Sequence, residues 1–163
     1  MTNTFENDRV AYKCSSLIIE NEKEQQLVSD SDSPSIEVFG VYQTPAAIEQ
    51  SISAIRNGFR AGLQPCLSEE GTSGSYVLKT TTSGSMEDEE QLQSVAVWKP
   101  IDEEPFAPNN PRGMQAPFGS DTCRPGVKSG ESSLREVLAF LLDHDGFAGV
   151  PPTALVEVSH PSL

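Results

Sequence analysis

Basic charge is scarce in this 163-residue chain: 11 Lys and Arg stand against 24 Asp and Glu, for a formal charge of −13. Nucleic-acid binding runs on neutralisation of phosphates by Lys and Arg, so it is disfavoured here. Cysteine is scarce too. Cys14, Cys66 and Cys123 lie far apart, neither a disulfide framework nor a CxxC zinc spacing can be drawn from them, and a reducing compartment is the natural reading. The two histidines, His144 and His160, are too few and too badly placed for a metal site, so no metal ligands are assigned. No apolar run approaches the roughly 20 residues that span a bilayer, and the N-terminus has no basic segment followed by an apolar one. The expectation is a soluble, cytoplasmic chain. Both GxGxxG and the GxxxxGK[ST] P-loop are absent, which removes support for a dinucleotide fold or a P-loop NTPase. Hydrophobic residues make up 36%, below the roughly 45–50% of globular domains on a scale that counts Gly. Part of the chain is therefore expected to lie outside a packed core.

What is present is organised unevenly. Residues 1–43 read as a tail or irregular lead-in, with a short apolar patch at Leu17 to Ile19 and one strand at Ile36 to Tyr42. The domain is expected over 44–163. Thr44 can cap, Pro45 suits a first helical position, and Ile48, Ile52, Ile55 and Phe59 recur at helical spacing before Gly62. Strands are predicted over 65–70 and 75–81, separated by Gly71-Thr72-Ser73-Gly74. An acidic connection, 83–93, leads to a strand over 94–99 that Pro100 stops. Residues 100–128 hold six of the twelve prolines and read as a long loop, a kind of segment that is usually functional when ordered. Leu134, Val137, Leu138, Leu141 and Leu142 then mark an amphipathic helix, capped by Ser129 or Ser132, and a last strand is predicted over 154–158.

Three features could carry chemistry. Alternation along 94–99 puts Lys99 on one face with Val95 and Val97, where its ammonium needs an anionic partner or must snorkel to water. Gly71 to Ser75 could let backbone amides approach a phosphate, although such clusters more often make ordinary turns. Glu131 and Glu136 ordinarily offset the helix dipole and solvate a face. Together they follow the order of a kinase nucleotide lobe: a glycine-rich hairpin over the phosphates, a lysine on the next strand, then a helix bearing a glutamate.

The run Val95-Ala96-Val97-Trp98-Lys99-Pro100-Ile101-Asp102-Glu103-Glu104-Pro105, with Asn109-Asn110-Pro111-Arg112-Gly113, resembles a signature of type II-like phosphatidylinositol 3-/4-kinases. Gly130-Glu131, Arg135-Glu136-Val137, Leu141-Leu142-Asp143-His144 and the run Gly146 to Thr153 resemble that family's helix and following turn. Glu70 to Tyr76 is similar to its hairpin. The likeness is to the plant and protist gamma-like branch and covers roughly residues 47–158. Trp98 stands where the family has Phe, and Ser132-Ser133 replace small or glycine residues.

The resemblance implies an α+β fold, a protein-kinase-like N-lobe in which a small antiparallel sheet carries packed helices. It implies ATP and Mg²⁺ as cofactors and phosphatidylinositol at a membrane surface as acceptor. Lys99 would contact the ATP phosphates, Gly71, Thr72, Ser73, Gly74 and Ser75 would cover them, and Val97 would lie in the nucleotide site. The carboxylate paired with Lys99 would be Glu131 or Glu136, with Glu131 favoured because it lies in the first helical turn. The family's catalytic loop and metal-binding Asp lie in a second lobe that Leu163 precedes, so chain 1–163 is expected to be inactive alone and to expose an apolar face. A protein kinase of the same fold, or a non-catalytic adaptor retaining the lobe, are the alternatives.

Overall fold

Alternation along the lysine strand sets the architecture. The computed structural model describes residues 14–19, 34–39, 45–82 and 91–163, and folds them into a six-stranded antiparallel sheet with two helices. The strands are β1 (Cys14–Ile19), β2 (Ser35–Val38), β3 (Cys66–Leu67), β4 (Tyr76–Thr82), β5 (Gln91–Pro100) and β6 (Thr153–Ser159), in the order β2-β6-β1-β5-β4-β3. The helices are α1 (Ala46–Arg60) and α2 (Ser132–Leu142). The α+β class is thus as expected.

On one side of β5, Ala96 and Trp98 are fully buried and join Leu78, Ile36, Ala154, Val156 and Val158. Helix α1 covers this side with Ile48, Ile52, Ile55 and Phe59, so its predicted stripe is core. Its end is closed by Gly62 at φ +81, where the Gly62 N–H reaches Phe59 O and the Leu63 N–H reaches Gly58 O. That paired closure needs a left-handed residue, which glycine adopts at no steric cost. Arg56 donates to Ile36 O at 2.9 and 3.1 Å and meets Glu37 at 2.8 Å, fastening the edge strand β2 to the helix.

The lead-in departs from expectation. Residues 14–19 pair with β5 on one side and β6 on the other, with Ser16 opposite Lys99 and Leu17 opposite Ala154. The patch at Leu17 to Ile19 is too short for a periodicity to reveal, and its ladder partners lie in far later sequence. The strand predicted over 36–42 runs Ser35–Val38, with residues 40–44 and the Thr44 cap outside the described residues; 83–90 of the acidic connection also lie outside them. The strand predicted over 65–70 shrinks to Cys66–Leu67.

Helix α2 lies on the other side of the sheet and behaves unlike α1. It buries Ser133 and Val137, while Leu134, Leu138, Leu141 and Leu142 are exposed, Leu138 by 54%. No helix among the described residues is long and apolar enough to cross a membrane.

Candidate functional site

Lys99 is the next-to-last residue of β5, and its alternation sends it toward α2 rather than into the core. Its Nζ lies 2.6 Å from Glu136 Oε1, with both side chains about a third exposed. This corrects the expectation that favoured Glu131. Residue 131 is the N-cap position of α2, one turn too early to reach the strand, and its carboxylate turns back to the Lys128 N–H and the Arg135 guanidinium. Those two donors hold its carboxyl below the usual carboxylate range.

The placement of Glu136 depends on a residue that sequence reasoning passed over. Neither Ser129 nor Ser132 caps α2, and no side chain at the N-cap position does. Glu104 fills that role from a distance: its buried carboxylate accepts from Gly130 N at 2.8 Å, Ser132 N at 3.3 Å, Ser133 N at 3.0 Å and Ser133 Oγ at 3.2 Å. A carboxylate at a helix N-terminus satisfies orphan amides and complements the dipole. Glu104 also follows Lys99 by only five residues. The short segment leaving the lysine strand thus fixes the start of the helix that returns Glu136 to that same lysine.

The glycine-rich connection between β3 and β4 is held from the same segment. Asn110, 1% exposed, directs Nδ2 at Thr72 O, Glu103 O and Glu104 O at 2.8, 3.0 and 3.2 Å, and its Oδ1 accepts from Arg112 N and Met114 N. Gly74 N donates to Glu103 O at 3.0 Å, and Tyr76 Oη donates to Glu103 Oε2 at 2.8 Å. Burial first, and then that bond to a carboxylate, push the Tyr76 phenol well above its ordinary range. A Cβ at Gly74 would overlap the Glu103 side chain, so glycine is required there by packing. Arg112 also reaches Ser68 O.

A cavity of about 600 Å³ opens between these parts, a size typical of small-molecule sites. Thr72, Ser73, Lys99 and Glu136 line it, whereas Gly71, Gly74, Ser75 and Val97 do not. Gly71 is a turn residue at φ +93, Gly74 is packed on Glu103, and Val97 is half-buried in register with Val77 and Ile18. The expectation for Val97 is therefore not met geometrically: its alternation face is right, but it lies two residues up the strand from the opening.

The far wall is a small hairpin within residues 119–129. Gly119 N reaches Ser129 O, Thr122 Oγ1 lies 2.9 Å from Val127 O, and Lys128 Nζ meets Asp121 at 2.5 Å. Its tip presents Cys123 and Arg124 to the cavity, and Arg135 of α2 adds a second guanidinium. Glu104, Asn110, Arg124 and Arg135 are the members that sequence reasoning missed. The available signal was a tandem of carboxylates, Glu103-Glu104, in a proline-rich segment ahead of a helix.

Among curated proteins the chain is 39% identical over 131 residues to phosphatidylinositol 4-kinase gamma 8 of Arabidopsis thaliana, covering 80% of this chain and 23% of that protein. It is 35% identical over 162 residues to phosphatidylinositol 4-kinase gamma 1 of the same plant, covering 96% and 27%. It is 42% identical over 127 residues to phosphatidylinositol 4-kinase gamma 4 of Oryza sativa subsp. japonica, covering 72% and 21%. The chain thus spans about a quarter of the length of these relatives. No family model and no solved structure matches it.

Proposed function

We propose that this chain is the ATP-binding lobe of a phosphatidylinositol 4-kinase-like phosphotransferase, built on the plan of a kinase N-lobe. The observation that carries the reading is the Lys99–Glu136 pair at 2.6 Å, facing the Thr72-Ser73 turn across a cavity. A nucleotide triphosphate fits this donor set, because an ammonium held by one carboxylate and two hydroxyl residues on the facing wall suit phosphate oxygens. Lys99 would bind the phosphates, Glu136 would orient Lys99, and the Thr72-Ser73 turn, held by Asn110, would cover them and exclude water. Bound ATP would supply the γ-phosphoryl group, for which the relatives' names suggest phosphatidylinositol as acceptor.

Among the described residues, no group of three or more His, Cys, Asp and Glu could hold a metal ion. The experiment that tests the reading is titration of a fluorescent ATP analogue against the chain and its Lys99→Met variant. Affinity should fall about tenfold or more in the variant, as for loss of a charged hydrogen bond. Unchanged affinity would refute the nucleotide role and favour the adaptor reading, for which the exposed leucines of α2 speak.

A further inference from the structure

Taking that nucleotide reading as its base, we propose that Arg124, seconded by Arg135, forms an additional anion contact in this cavity, apart from Lys99, for a phosphate group of the ligand.

The charge of the cavity runs against that of the chain. The whole sequence carries −13, yet the cavity wall bears three cations, Lys99, Arg124 and Arg135, and only two carboxylates, Glu104 and Glu136. Both carboxylates are engaged: Glu136 holds Lys99, and Glu104 holds the amides of Gly130, Ser132 and Ser133. The engagement of Glu104 matters for the ligand. A helix N-terminus is ordinarily a ready anion site, but here the chain's own carboxylate already occupies it. An incoming phosphate must therefore be met by side chains.

Two guanidiniums are available. Arg135 faces Glu131 at 3.2 Å, an exposed pair one helical turn apart that competes weakly with a phosphate. The Arg124 guanidinium has no partner among the described residues, since the bonds of Arg124 are made by its backbone. Those backbone bonds, Arg124 N to Thr122 Oγ1 at 3.2 Å and Val127 N to Arg124 O at 3.1 Å, fix the residue in the hairpin turn that walls the cavity. The planar fork of arginine matches two phosphate oxygens at once. The phosphate has two candidate sources, the polyphosphate of a nucleotide or the phosphodiester of an inositol headgroup.

The test is calorimetric titration of the full chain, Arg124→Ala, Arg124→Lys and Lys99→Met with ATP, adenosine, inorganic tripolyphosphate and glycerophosphoinositol. We expect Arg124→Ala to weaken ATP and tripolyphosphate by about tenfold and to leave adenosine unchanged, with Arg124→Lys between the two. Loss confined to glycerophosphoinositol would also support the contact and assign it to the headgroup. If Arg124→Ala leaves every anion at wild-type affinity while Lys99→Met weakens ATP, the inference is overturned and the nucleotide reading stands. If the wild-type chain binds none of the anions, both are overturned.

Discussion

The two helices carry the same kind of apolar repeat and meet opposite fates. In α1 the stripe Ile48, Ile52, Ile55 and Phe59 is buried against the sheet. In α2 the stripe Leu134, Leu138, Leu141 and Leu142 faces outward, and the Asp143 to Val150 turn that follows leaves Phe147 97% exposed. What docks α2 is largely polar: Glu104 on its first amides, the buried Ser133 and the Glu136 link to Lys99, with Val137 and Phe140 supplying the apolar contact. One helix is placed by area removed from water. The other is placed by directed bonds, which hold a carboxylate in register with a lysine far better than a non-directional force can.

This difference makes the helices respond differently to truncation. Ile55→Ala should cost about 2–5 kcal/mol, because it opens a cavity in a fully buried site, whereas Leu138→Ala should stay within about 0.5 kcal/mol. Urea unfolding of the two variants measures both, and a costly Leu138→Ala would mean that the outward stripe of α2 is packed in the folded chain.

Glu104→Ala should come next, at about 2–3 kcal/mol, since it leaves buried amides and the Ser133 hydroxyl without an acceptor. Glu104→Gln, which keeps one acceptor oxygen, should cost less. A loss as small as that of Leu138→Ala would mean that α2 is not held through its N-terminus.

The smallest expected effect is one of pH. The folded state keeps the Tyr76 phenol protonated beyond its ordinary pKa of about 10, chiefly through burial and then through its bond to Glu103. The folded chain therefore binds this proton more tightly than the unfolded chain. Its contribution is complete below about pH 10 and is lost as pH rises toward the folded value. Thermal melts of wild type and Tyr76→Phe should differ in slope only on the alkaline side; parallel curves there would remove Glu103 as the anchor of Tyr76.

How much of this was legible depended on what kind of force placed each residue. Helix α1 was readable because Ile48, Ile52, Ile55 and Phe59 encode burial directly in their spacing. Strand β5 was readable for the same reason, and alternation gave the correct face for Lys99. The stripe of α2 was equally visible, but spacing says only that a face is apolar, not that something covers it. Choosing Glu136 over Glu131 required knowing where the helix begins, and that is set by Glu104, a residue 28 positions from the amide of Ser132 it accepts. Strand β1 stayed hidden because its partners lie in β5 and β6, and no local pattern announces a ladder closed over such distances.

Lys99 is paired with Glu136 and not with Glu131, whose carboxylate is held by Arg135 and the Lys128 N–H. ATP affinity measured for Lys99→Met, Glu136→Gln, Glu131→Gln and the two double variants tests it most directly. Residues in contact couple by about 0.5–3 kcal/mol, while independent sites add to within about 0.5 kcal/mol. Lys99→Met and Glu136→Gln should be non-additive, and Lys99→Met and Glu131→Gln should be additive. Additivity with Glu136, or coupling to Glu131 in its place, would contradict that pairing.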